Sequence, residues 1–153
     1  MATVHQINAS GGGVPKLPVA SAVINESGLV GDIQADTVHH GSPSQALCLF
    51  SLEAIEKMQA EGHPIAPGYA GENLTITGLD WTSLGEGDQL RIGDEILIEI
   101  TGPTAPCQKN AQWFLNGDIL RMSESRHPGE SRLYAKVISG GPIAAGDPVE
   151  PVA

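Results

Sequence analysis

Cys107 closes the segment Thr101–Cys107, where Gly102, Pro103 and Pro106 punctuate the chain directly after the strand-like run Ile96–Ile100. Each proline fixes its own φ and removes a ladder donor, so this stretch reads as an irregular turn instead of continued strand. A thiol on a stiff turn at the mouth of a sheet has two chemistries open to it as thiolate: nucleophile and soft metal ligand. Lys109, two residues on, is placed to favour the ionised sulfur. The plainer reading of a single cysteine is a small buried hydrophobe, but structural cysteines usually sit inside apolar runs. Cys48 is that case, because Ala46-Leu47-Cys48-Leu49-Phe50 is continuously apolar and reads as packing. Two cysteines far apart, with no CxxC, give no support to a zinc ribbon or a dithiol redox site, and point to a reducing compartment.

Three further stretches carry chemistry. Gly31–Gly41 packs Asp32, Gln34, Asp36, His39 and His40 into loop-prone chain. One reading is the polar wall of a pocket, with His40 moving a proton; the other is a solvated loop whose Asp residues cap turns. Both stay open on pattern alone. Adjacent histidines on extended chain face opposite ways, so His39 and His40 do not readily share one ion. Gly68-Tyr69-Ala70-Gly71-Glu72-Asn73 leads into a strand, and its backbone amides could approach an anion, or it is a glycine turn. Gly11-Gly12-Gly13-Val14-Pro15-Lys16 has a lysine after a glycine run, but neither the Walker spacing nor a following helix. No G-x-G-x-x-G opens a helix and no G-x-S-x-G is present, which leaves dinucleotide-binding and α/β-hydrolase readings without support.

Short strands must position these groups. Val4–Asn8, Val19–Ile24, Ala46–Phe50, Asn73–Thr77, Leu133–Ser139 and Asp147–Val149 have strand character, and Gln89–Ile92 with Glu95–Thr101 predicts a hairpin around Gly93-Asp94. Ser51 as N-cap, Leu52, Ile55 and Met58 on one face, and Gly62 as terminator predict a helix; a second, shorter one is expected over Ala111–Met122. The 153 residues include 19 Gly and 11 Pro without a period, and fit one domain over 1–153: mainly β, a β-barrel with one or two covering helices. A net charge of −10 with no Lys/Arg cluster argues against nucleic acid as a partner. No run approaches membrane-spanning length and no signal pattern opens the chain, so a cytoplasmic protein is expected.

Taken in order, Gly13-Val14-Pro15-Lys16, Gly28–Asp36 with His40-Gly41, Gly71-Glu72-Asn73-Leu74, Pro106-Cys107 with Lys109, Tyr134-Ala135-Lys136-Val137 and Gly146-Asp147 resemble the MOSC domain, in its small stand-alone bacterial YiiM-like type. The resemblance runs from about Val4 to Val149. It implies a barrel like the β-barrel domain of pyruvate kinase, and a molybdenum cofactor (molybdopterin) whose metal is bound by the residue matching Cys107. It also implies reduction of N-hydroxylated compounds, with a small-molecule substrate and an electron-donor protein as partners; the alternatives are a sulfur or cofactor carrier using a Cys107 persulfide, or a non-catalytic binding module. On this reading Cys107, His40 and Asp32 are catalytic, and Lys16, Asn73, Glu72, Lys109 and Gln34 bind the cofactor. Thr104 stands where many relatives carry Arg, which leaves Lys16, Lys109 and Arg121 to supply that charge.

Overall fold

Apolar runs bounded by turn residues become strands throughout the chain, and the computed structural model describes residues 1–32 and 43–153. Its strands are β1 (Thr3–Ala9), β2 (Leu17–Val19), β3 (Ser21–Asn25), β4 (Gly28–Leu29), β5 (Leu47–Ser51), β6 (Leu74–Thr77), β7 (Gln89–Ile92), β8 (Ile96–Pro103), β9 (Leu133–Ser139), β10 (Gly141–Ala144) and β11 (Val149–Pro151). Helix α1 (Leu52–Ala60) follows β5 without a break. Eight strands form one sheet in the order β11-β7-β8-β9-β5-β6-β1-β2, and β10-β3-β4 form a second. Among the described residues only β5 and β6 pair in parallel, with α1 as their crossover. Strand β5, apolar up to its last residue Ser51, is buried along its whole length, as a central strand should be.

The expectation of a mainly β chain with few helices therefore holds, whereas a closed barrel does not form. The ladder has two ends, β11 and β2. The chain before β11 does reach β1: Thr3 and Pro148 form a single bridge, Gly146 N donates to Val4 O (2.7 Å), and Val149 N donates to Ala2 O (3.0 Å). Val4 N donates to Asp147 O (2.9 Å) on the other side of that bridge, while the Pro148 carbonyl faces away from β1 and accepts from Gly93 N (2.9 Å).

The helix after β5 forms where its caps and apolar face predict it. Ser51 accepts from Ala54 N (3.1 Å) through Oγ, Ile55 and Met58 are buried, and Gly62 turns the chain at φ 101°. The second helix expected over Ala111–Met122 is instead three 3-10 turns, Gln108–Trp113, Leu115–Gly117 and Ile119–Met122. Asn116 at φ 57° and Gly117 at φ 67° interrupt any α-helical run. Burial still organises this segment: Phe114, Ile119 and Met122 pack with Phe50, Ile55 and Met58 of β5 and α1 in a second core, separate from the core of the large sheet.

Replacing Ser51 with Ala removes the N-terminal cap of α1, at a cost of about 1 kcal/mol. Denaturant unfolding should show a lower midpoint at unchanged slope; an unmoved midpoint would contradict the capping role.

Candidate functional site

The turn before β6 is the first half of the site. Gly68 sits at φ 85°, and a Cβ there would lie 2.5 Å from Lys16 O, so only glycine fits. Its N–H donates to Glu72 Oε2 (2.9 Å), and its carbonyl accepts from Lys16 N (2.9 Å). Glu72 is wholly buried; Thr75 Oγ1 also donates to its Oε2 (3.0 Å), while Oε1 has no partner among the described residues. Burial pushes the Glu72 carboxyl above the usual carboxylate range, opposed by those hydrogen bonds and more weakly by Arg132.

Asn73 ties the turn to β5. Its backbone N–H donates to Cys48 O (2.8 Å), and its Oδ1 accepts from Cys48 N (3.0 Å). That fixes which end of the amide is the donor, and Nδ2 donates to Asp32 Oδ2 (2.9 Å). Asp32 Oδ2 also accepts from Lys16 Nζ (2.6 Å), and Oδ1 accepts from Ser10 N (3.0 Å). The Lys16 and Asp32 side chains are only 8% and 4% exposed, so this is a buried ion pair with its remaining lone pairs supplied. Three predicted residues, Lys16, Asp32 and Asn73, thus meet, with Glu72 next in sequence.

The second half is the loop after β8. Cys107 is half-buried and precedes the 3-10 turn Gln108–Trp113; its carbonyl accepts from Asn110 N (2.9 Å). Thr104 N donates to Arg132 O (2.9 Å). The Arg132 side chain donates from Nη2 to Ala105 O and from Nη1 to Ala70 O, both at 2.9 Å. Asn110 Nδ2 donates to the same Ala70 carbonyl (3.1 Å). The loop carrying Cys107 is in this way bonded to the turn carrying Glu72 and Asn73. Buried Thr104 places Oγ1 3.8 Å from Cys48 Sγ. Cys48 is buried as its apolar run predicts, and burial pushes its thiol up; Arg132 and Lys16 oppose that shift and Glu72 adds to it. Both halves therefore act on one sulfur.

The bases predicted to supply charge divide. Lys109 is exposed and forms no ion pair among the described residues. Arg121 is not available: Nε and Nη2 donate to the Glu61 carboxylate (2.6 and 2.9 Å), and Nη2 also donates to Glu130 Oε1 (2.8 Å). Its buried guanidinium is thus taken up by two acids, exposed Glu61 and half-buried Glu130, a structural use. His40 and Gln34 lie outside the described residues. Arg132, Asn110 and Asn8 were not legible as site residues. Asn8, wholly buried, donates from Nδ2 to Glu72 O and Thr75 Oγ1, both at 3.2 Å. None of the three belongs to a local motif; each is recognisable only through partners far away in sequence. An open groove of about 940 Å³ between Val23, Val30, Asp94 and Ile143 lies elsewhere and is lined by none of the predicted site residues.

With this geometry in place, comparison with known proteins is decisive. The sequence profile of the MOSC domain matches residues 36–150. The chain belongs to the MOSC domain family. This MOSC domain is 31% identical over 141 residues to the uncharacterized protein YflK of Bacillus subtilis, covering 90% of the chain and 62% of that protein. It is 34% identical over 133 residues to the protein YiiM of Escherichia coli, covering 84% of the chain and 58% of YiiM. The MOSC domain thus spans about three-fifths of the length of these two relatives. A more distant relative, named a reductase, from Gibberella moniliformis, is 27% identical over 127 residues, which cover 80% of the chain and 22% of the reductase. The crystal structure of Escherichia coli YiiM superposes with a TM-score of 0.72 at 28% identity, over 99% of this chain and 70% of that one.

Glu72 gives this half of the MOSC domain a pH signature. A carboxyl whose folded pKa is raised binds its proton more tightly folded than unfolded. Its effect is absent below the ordinary carboxylate range and costs stability as pH rises from about 4.3 toward the raised value. Glu72→Gln can keep both acceptor bonds and has no charge to bury. The variant should gain on the wild type as pH is raised from 4 to 8 in denaturant titrations; a wild type that gains on the variant would reverse the sign.

Proposed function

We propose that this MOSC domain binds a molybdenum cofactor of the molybdopterin type through Cys107 and uses it to reduce N-hydroxylated compounds. The observation that carries the reading is the Cys107 thiol, half-buried at the end of a loop bonded to the Gly68–Asn73 turn. The residues present fit such a group. A thiolate is a soft donor suited to molybdenum. Among the described residues no cluster of three His, Cys, Asp or Glu side chains could hold a metal ion. Two buried cationic residues adjoin the Gly68–Asn73 turn: Lys16, which is paired with Asp32, through its backbone N–H to Gly68 O, and Arg132 through Nη1 to Ala70 O. Arg132, which has no carboxylate partner among the described residues, suits an anionic pterin in a chain of charge −10. Membership of the family and a distant relative named a reductase support the redox class.

When bound, the cofactor would supply two-electron reduction at its metal. Cys107 is the protein ligand in this reading. Asn73 would offer the second N–H of an amide whose orientation Cys48 fixes, Lys16 and exposed Lys109 would balance the cofactor's negative charge, and Glu72 and Gln34 would complete the binding set. Asp32 holds Lys16 and Asn73 in place. Removing oxygen from an N-hydroxyl group consumes two electrons and two protons and releases water; His40 is the proposed donor of a proton to the departing oxygen, and an electron-donor protein supplies the electrons. A half-buried thiol also suits a persulfide, so sulfur carriage is the second reading.

Purification from a host that makes the cofactor should give molybdenum near one per chain in the wild type and little in Cys107→Ser. Full metal content in the variant would overturn the ligand assignment. Mass spectrometry that finds one extra sulfur on Cys107, with no metal, would favour the carrier.

A further inference from the structure

We infer that Arg132 is a positioning residue, a clamp that holds the Cys107 loop against the Gly68–Glu72 turn and so sets how the thiol is presented. Its functional meaning rests on the reading of Cys107 as the ligand, but the clamp itself does not. Arg132 is 4% exposed. Its main-chain carbonyl accepts from Thr104 N, its Nη2 donates to Ala105 O and its Nη1 donates to Ala70 O. One residue thus grips the loop at two points just before Cys107 and the opposite turn at a third. Asn110 closes the circuit: its side chain shares the Ala70 carbonyl, and its N–H donates to Cys107 O.

The chemistry of this grip is unusual for a structural arginine. Buried guanidinium groups ordinarily pair with a carboxylate, as Arg121 does with Glu61 and Glu130. Among the described residues Arg132 forms no ion pair, and its Nε has no hydrogen-bond partner. Neutral carbonyls only partly offset the cost of burying this charge, so the grip holds two loops at some expense of stability. A planar fork reaches two carbonyls at once; a lysine ammonium on one stem cannot hold both in the same geometry.

The test compares the wild type with Arg132→Lys, without metal, by two readouts. Hydrogen exchange of amides 104–110 should quicken about tenfold, the effect of losing one charge-assisted bond, while β7 and β8 stay protected. Alkylation of Cys107, quantified on its own peptide, should change rate by a similar factor while Cys48 stays unmodified. Unchanged exchange and alkylation in a folded Arg132→Lys, or equal loosening of β7 and β8, would show an ordinary structural residue and overturn the clamp. Should Arg132→Lys fail to fold, Asn110→Ala, which keeps the arginine and removes the second bond to Ala70 O, should loosen the same amides more mildly; no change there would also overturn it. A wild type that binds no molybdenum would sink the cofactor reading and leave both clamp readouts standing.

Discussion

The side-chain amide of Asn73 is the contact on which the site is built. It stands one residue before β6 and lies beside Cys48 of β5, where the sheet's parallel pairing begins. Its oxygen takes the Cys48 N–H and its nitrogen reaches the Asp32 carboxylate. A parallel pair needs a long crossover, and β5–α1–β6 supplies it, so the end of this pair is the place where a turn can project outward without breaking an antiparallel ladder. The polar groups gathered there, Asn8, Glu72, Asn73 and Thr75, are buried and satisfy one another with few exceptions. Networks of this kind hold a backbone in one arrangement because each unpaired member would be costly.

Charge is distributed in the same economical way. Lys16 is neutralised by Asp32, and Arg121 by Glu61 and Glu130. Arg132 is held by carbonyls, so its positive charge is not cancelled by an adjacent carboxylate. In a chain carrying ten excess negative charges, an uncancelled interior cation matters more than any exposed lysine, since solvent and salt screen the latter.

Much of the fold was legible because its signals are local. Ser51, Ile55, Met58 and Gly62 mark α1 at both ends, and Gly93-Asp94 marks the β7–β8 hairpin. The segment Ala111–Met122 misled because its apolar residues do fall at helix-like intervals, but Asn116 and Gly117 adopt positive φ and packing against α1 rewards short turns equally well. Strand β10 went unseen because Gly140-Gly141-Pro142 reads as a turn. As an edge strand paired only with β3, it tolerates a proline. Lys16, Asp32 and Asn73 were recognisable as chemical residues, but nothing in their neighbourhoods announces that they meet. Arg132, between Ser131 and a strand, carries no pattern at all; only long-range pairing identifies it.

The hydrogen bond from Val149 to Ala2, beside the Thr3–Pro148 bridge, has a consequence for architecture. Strands β1 and β11 begin side by side, and β11 is three residues long, so the chain enters and leaves this fold at a single doorway. Such a unit can be spliced into a host chain, or cut open at a distant loop and rejoined across a few linking residues, with its interior undisturbed.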